Sequence, residues 1–323
     1  MDGPWQLGAL GALEYALKAQ AAARLMRRQD PDLKLILCGS STPVMPTYPE
    51  WDRLALETCW DEVDYLSLHY YADNKDDDTD SYLALTTQFE DQLDTLAATV
   101  RYVKAKQRSK KDVYLCWDEW NVSYKVPPED GAWRVAPPIV EEVFNLEDAL
   151  VVAQWLSVFL RRCDVLKIAC VSMLLNVAGP LLTTRTQLLR QTTFYPLMLF
   201  SRYATGRALD PAVQAPTHVT KKYGEMPLLD VSASDDPATG HGAVFLVNRS
   251  MTEPLDTEVV WQDAPPTEVT SVIQLTGSAP KLTNSFTQPD LIAPRHLPGL
   301  PVEGARVKLT LPPLSFTVLT TRR

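Results

Sequence analysis

The sequence predicts a parallel α/β region followed by an all-β region, and three observations predict it. Over residues 1–205 short apolar runs alternate with helical segments in four βα repeats, a pattern that implies a parallel sheet. After Gly206 the pattern changes to short β-prone runs separated by Pro, Gly, Asn and Asp, as in a β-sandwich. The third is the stretch Val113-Tyr114-Leu115-Cys116-Trp117-Asp118-Glu119-Trp120-Asn121. It is continuously apolar and too brief for a helix, like a parallel strand buried on both faces, and it ends in two carboxylates flanked by tryptophans. Residues at the carboxyl ends of (β/α)-barrel strands face the active site. Four βα units of this kind are half of a (β/α)8 barrel.

Taken in order, Leu7–Arg28 reads as a helix with apolar positions at Leu10, Leu13, Leu17, Ala21 and Leu25, stopped by Asp30-Pro31-Asp32. Leu33–Cys38 is a short strand closed by Gly39-Ser40-Ser41. A second helix begins near Pro49, where proline suits a first turn, and runs to Cys59. Val63–His69 is the next strand, followed by Tyr70, Tyr71 and an acidic loop. Its run Asp76-Asp77-Asp78 is expected to be solvated. Ser81–Lys106 is one long amphipathic helix on the stripe Phe89, Leu93, Leu96, Val100, Val103. After the strand bearing Glu119, a loop with Pro127, Pro128, Pro137 and Pro138 leads to a helix capped near Asn145. Leu166–Leu174 is the fourth strand, and Gln191–Tyr203 a further helix. Beyond these, Leu228–Ser232, Ala243–Asn248, Glu258–Trp261, Val269–Leu275, Val307–Leu311 and Ser315–Thr321 supply the sandwich strands.

The chain of 323 residues, 46% hydrophobic and 22% charged, has the composition of an ordinary globular protein. A net charge of −9 argues against nucleic acid or an anionic membrane as partner. Neither a transmembrane run nor a signal peptide is visible, so a cytoplasmic setting is expected. Five cysteines have no CxxC spacing, and Cys38, Cys116 and Cys170 sit in strand-like runs as small buried hydrophobes. With four scattered histidines there is little to build a metal site on, and no cofactor is expected.

Several motifs, in order and with familiar spacing, resemble the α-L-arabinofuranosidases of glycoside hydrolase family 51. They are Met1-Asp2-Gly3-Pro4-Trp5-Gln6, Cys38-Gly39-Ser40-Ser41, Asp64-Tyr65-Leu66-Ser67-Leu68-His69, Asp118-Glu119-Trp120-Asn121-Val122, Asn176-Val177 with Pro180, and Arg190-Gln191-Thr192-Thr193-Phe194-Tyr195-Pro196. The resemblance implies strands 5–8 of a (β/α)8 TIM barrel over residues 1–205 and a jelly-roll-like β-sandwich over 206–323. It implies a retaining hydrolase that removes terminal arabinofuranosyl groups from arabinan- or arabinoxylan-type saccharides. Glu119 is then the nucleophile. The acid/base Glu of the family directly precedes the position of Met1 and is not in this sequence, so residues 1–323 alone are expected to release no arabinose from natural oligosaccharides. A homo-oligomer is expected as well.

Among the other site residues, Tyr71 fits a tyrosine that lies near the nucleophile in the family. His69 stands at a strand end, where it can bond to substrate or to a neighbouring carboxylate. Trp5 can wall the sugar pocket; Trp120 can wall it or pack between strand and helix. Met173 is the nearest match to a substrate-binding Gln of the family and is most simply core filler, while Ser123 stands where the family commonly has Trp. Asp118 is expected to be a structural acid pointing opposite to its neighbour. Two readings stay open: part of an active arabinofuranosidase, or a catalytically impaired product that binds sugar or forms oligomers.

Overall fold

The computed structural model describes residues 2–6, 8–125, 135 and 140–323. Met1, Leu7 and the proline loop (Pro127, Pro128, Pro137, Pro138) lie outside the described residues. The chain divides into two compact units. The first holds residues 1–71, 88–121 and 162–172; the second holds 72–87, 122–161 and 173–323.

The first unit is built on a four-stranded sheet in sequential order: β1 (Ile36–Leu37), β2 (Tyr65–Ala72), β3 (Tyr114–Val122) and β4 (Leu166–Val171). The β1–β2 and β3–β4 pairs are parallel. Helices α1 (Ala12–Gln29) and α2 (Glu50–Cys59) connect into this sheet, and α4 (Thr86–Lys106) leads into β3; α3 (Thr79–Leu83), which follows β2 in the chain, belongs to the second unit. The expected stripe of α4 is its packed face: Phe89, Leu93, Leu96, Val100 and Val103 are all buried. Each such side chain contributes roughly 1.5–3 kcal/mol by leaving water.

Several boundaries differ from expectation for local reasons. α1 starts only at Ala12, because Gly8 takes a left-handed φ of 72° and Gly11 is extended. The single helix expected over Ser81–Lys106 is two, since the Ala84 N–H turns back onto the Ser81 and Tyr82 carbonyls and closes α3. β1 is shorter than expected: the Leu35 N–H donates to the Asp64 carboxylate and its carbonyl accepts from Asp64 and Tyr65. Met173 leaves β4 with a φ of 63°, so that strand stops at Val171 rather than Leu174. Strand β3, by contrast, runs on through both carboxylates to Val122.

The second unit contains α5 (Leu146–Arg161), the hairpin β5 (Leu181–Thr183)–β6 (Leu188–Arg190) and α6 (Phe194–Tyr203). Asn145 caps α5: its Oδ1 accepts from Asp148 N while Asp148 Oδ2 accepts from Asn145 N, a reciprocal capping box. The strands that follow are β7 (Arg207–Leu209), β8 (Thr217–Thr220), β9 (Gly224–Pro227), β10 (Leu229–Asp236), β11 (His241–Asn248), β12 (Leu255–Val260), β13 (Glu268–Thr276), β14 (Arg295–Leu297), β15 (Arg306–Leu311) and β16 (Ser315–Arg322). Six form an antiparallel sheet in the order β14-β13-β16-β11-β10-β7, and β12 pairs with β15. One apolar core joins Val231, Leu246, Val272 and Leu319 of the larger sheet to Leu255, Val307 and Leu311 of the smaller. On the other face Phe200 of α6 stacks on Phe245 at 4.0 Å, and Ser157 of α5 bonds to Ser232. β10, β11 and β16 are therefore buried nearly end to end, although only β11 is a continuous apolar run; β10 and β16 bury Ser232, Ser234, Asp235, Ser315 and Thr317 as well.

In the acidic loop Asp76 and Asp77 are exposed to solvent, as expected, and make surface ion pairs. Asp76 pairs with Lys222, Asp77 with Lys281, and Asp78 caps α3 through Ser81 N.

Candidate active site

Strand β2 alternates, so Ser67, His69 and Tyr71 share one face. Tyr70, on the other face, bonds to Gln88 and lies edge-on to Phe89 of α4. Gln92 of α4 donates to the His69 carbonyl at 3.1 Å and fixes the strand height. The neighbouring strand β3 would normally turn Asp118 and Glu119 to opposite faces. A β-bulge prevents this: Trp117 pairs with Ala169 and Trp120 with Val171, so two β3 residues face the single Cys170 of β4. A bulge re-aims side chains, and it is rare between parallel strands.

Both carboxylates consequently reach one imidazole. Asp118 Oδ1 lies 3.2 Å from His69 Nε2, and Glu119 Oε2 lies 3.6 Å from His69 Nδ1. The first is hydrogen-bond distance and the second only charge proximity. Ser67, itself buried, donates to Asp118 Oδ1 at 2.7 Å. Burial pushes the Asp118 carboxyl up, but the bonds from His69 and Ser67 outweigh it and hold the group below the usual carboxylate range. The expectation that Asp118 points opposite to Glu119 is thus corrected, since both carboxylates turn to His69.

The other oxygen, Glu119 Oε1, is 2.7 Å from Tyr71 Oη, which also lies 2.6 Å from Ser172 Oγ just beyond β4. Burial drives the Tyr71 phenol up to about 12; the bond with Ser172 opposes that rise and the carboxylate of Glu119 reinforces it. The Glu119 side chain remains 44% exposed, so a substrate can reach it.

Glu119, His69 and Tyr71 therefore meet. Trp120, which follows Glu119, is buried, and its carbonyl accepts from Ser172 N. Trp5 is exposed, its ring so close over Gly3 that a Cβ there would stand 2.5 Å from it. Met173 is 57% exposed rather than core filler, because its left-handed backbone turns it out of the strand. Ser123 donates to the buried Glu142. Cys116 is buried as expected, but Cys170, opposite the bulge, is exposed. Ser67 and Ser172 were not foreseen. The Ser67-x-His69-x-Tyr71 alternation was a usable signal for the first; nothing in the sequence marked the second. No group of three or more His, Cys, Asp or Glu able to hold a metal occurs among the described residues.

Comparison with known proteins bears on this geometry. Residues 118–315, beginning at the bulge itself, match the model of the alpha-L-arabinofuranosidase C-terminal domain. The chain belongs to that family. An intracellular exo-alpha-(1->5)-L-arabinofuranosidase of Acetivibrio thermocellus is 41% identical over 261 residues, 78% of this chain and 52% of the relative. A Streptomyces lividans protein of the same description is 39% identical over 98% of this chain and 48% of its own length. The solved structure of a family 51 alpha-L-arabinofuranosidase from Bifidobacterium longum superposes with a TM-score of 0.93 at 27% identity, covering 99% of this chain and 65% of that one. The chain thus spans about half the length of the two curated relatives.

Other motif residues of this arabinofuranosidase-family chain hold the fold. Asp2 accepts from the Ser41 hydroxyl, Ser40 bonds to the buried Asp52, and Arg27 pairs with Asp64. Gln191 bridges Phe144 N and the carbonyls of Glu142 and Gly179.

Proposed function

We propose that this chain carries the nucleophile of a retaining α-L-arabinofuranosidase acting on arabinose-containing oligo- or polysaccharides, and that Glu119 is that nucleophile. The observation that carries the reading is the unequal hold on its two oxygens: Oε1 accepts a 2.7 Å bond from Tyr71, whereas Oε2 has only His69 at 3.6 Å. Oε2, the freer oxygen, attacks the anomeric carbon as the bond to the leaving oxygen breaks. Oε1 becomes the ester carbonyl and keeps its bond to Tyr71. In a retaining enzyme a second carboxylic acid, about 5–5.5 Å away, protonates the leaving group and then activates water. That acid is not assigned to a residue of this sequence.

On the same reading the first sheet is the second half of a (β/α)8 barrel, strands 5–8, over residues 1–205, and 206–323 form a jelly-roll-like sandwich. The relatives named intracellular support a cytoplasmic setting. A homo-oligomer and a sugar contact by Met173 or Trp5 belong to the same proposal.

The test uses 4-nitrophenyl α-L-arabinofuranoside, whose leaving group needs little protonation. The chain should release at most a trace of nitrophenol and no measurable arabinose from arabino-oligosaccharides. Glu119→Ala should abolish the release, and azide should restore it as a glycosyl azide of inverted configuration, since a small anion fills the space of the carboxylate. Unchanged release by the Ala variant would remove Glu119 from the role.

A further inference from the structure

A phenol has one proton, and an ionised carboxylate only accepts. Tyr71 Oη lies within hydrogen-bond distance of both Glu119 Oε1 and Ser172 Oγ. If the Tyr71 proton goes to Glu119, the Ser172 hydroxyl must donate to Tyr71, and the bonds run in one direction, from Ser172 to Tyr71 to Glu119. Ser172 is fixed for that task at both ends of its backbone. Its N–H donates to the Trp120 carbonyl at 2.9 Å, and its carbonyl accepts from Asn121 Nδ2 at 2.8 Å. Both partners flank or follow Glu119 on β3, so the serine hydroxyl and the carboxylate are held in one frame. Directly after Ser172 the chain turns away through the left-handed Met173.

We propose that Ser172 is a positioning residue, whose hydroxyl donates to Tyr71 and commits the single phenol proton to Glu119 Oε1. An oxygen that accepts a hydrogen bond donates a stronger one, so the grip on Oε1 tightens. Without Ser172 the Tyr71–Glu119 bond loses that reinforcement and the distinction between the two carboxylate oxygens weakens. The consequence for turnover rests on Glu119 being the nucleophile; the bond itself does not.

The test therefore avoids turnover. The full chain is made with 3-fluorotyrosine at its 12 tyrosines, which lowers phenol titration into an accessible range, and the residue 71 signal is assigned in the 19F spectrum by its absence in Tyr71→Phe. A donor to the phenolate favours ionisation, so Ser172→Ala should raise the titration midpoint by about one pH unit, the scale of one hydrogen bond to a charged group. Ser172→Thr, which keeps the hydroxyl, should titrate with the wild type. A Ser172→Ala midpoint equal to wild type overturns the proposal, and so does a folded Ser172→Thr that titrates well above it. A chain that shows the shift yet never turns over an arabinofuranoside keeps the positioning bond and loses the proposed function.

Discussion

Glu119 and Asp118 are adjacent, similarly acidic and turned to one imidazole, yet their surroundings differ. Asp118 takes its bonds from Ser67 and His69, whereas Glu119 is bonded by Tyr71 and left 44% exposed. A third carboxylate shows the opposite extreme. Asp52 is fully buried under Gly39 and Ser40, and burial drives it up to about 6 from 3.8, against the bonds from Ser40. Below pH 3.8 it is protonated both folded and unfolded and has no effect on stability. Between 3.8 and about 6 the folded chain holds the proton that the unfolded chain releases, so stability falls as pH rises and then levels off. The full fall is about 3 kcal/mol for a shift of this size. Asp52→Asn should flatten that slope, so that urea midpoints of the variant gain on wild type between pH 4 and pH 6.5. Parallel curves across that range would show that the aspartate titrates normally.

At the scale of elements, strand ends and their turns set the site. The turn after β1 must pass close under β2, and Gly39 makes this possible: a Cβ there would sit 2.0 Å from the Ser67 carbonyl and 2.7 Å from Asp52 Oδ1. Backbone cannot give way as a flexible side chain would. Gly39→Ala should therefore cost about 1–3 kcal/mol, as overpacked cores do, and be seen as a lowered melting temperature. Because Ser67 also supports Asp118, the same variant should disturb the His69 imidazole signals. The bulge in β3 acts over a similar distance. Without the extra residue, alternation would send one of Asp118 and Glu119 to the face opposite His69.

For the molecule as a whole, helix α1 makes the most specific demand. It buries the small residues Ala16 and Ala23, while Leu13, Leu17 and Leu25 stand 57%, 55% and 68% exposed. The apolar stripe that reads as a core face is turned outward, because Cys59 of α2 approaches the Ala16 carbonyl and only small side chains fit between the helices. A continuous exposed apolar face promotes association. Size-exclusion chromatography should show self-association or aggregation of the chain. Changing Leu13, Leu17 and Leu25 together to Glu should shift it toward monomer while leaving the melting temperature nearly unchanged. A wild-type chain that elutes as a sharp monomer would mean the stripe is already covered. Among the described residues no helix is long and apolar enough to cross a membrane.

Sequence by itself determined the order and type of the main elements, the α4 core stripe, the six long sandwich strands and the placement of Glu119, His69 and Tyr71 on strands of the first sheet. These follow from periodicity, local propensity and motif spacing, which are short-range properties of the chain. What tertiary structure alone decided depends on pairing with a distant segment. The β3 bulge exists only relative to β4, so the shared imidazole of Asp118 and Glu119 could not be read from alternation. Ser172 gains its meaning from the strand it is clamped to, and Met173 loses a core role because the backbone turns there. The Leu13, Leu17 and Leu25 stripe had the right period for burial, and only the close packing of α1 on α2 through alanines shows that a different face was used.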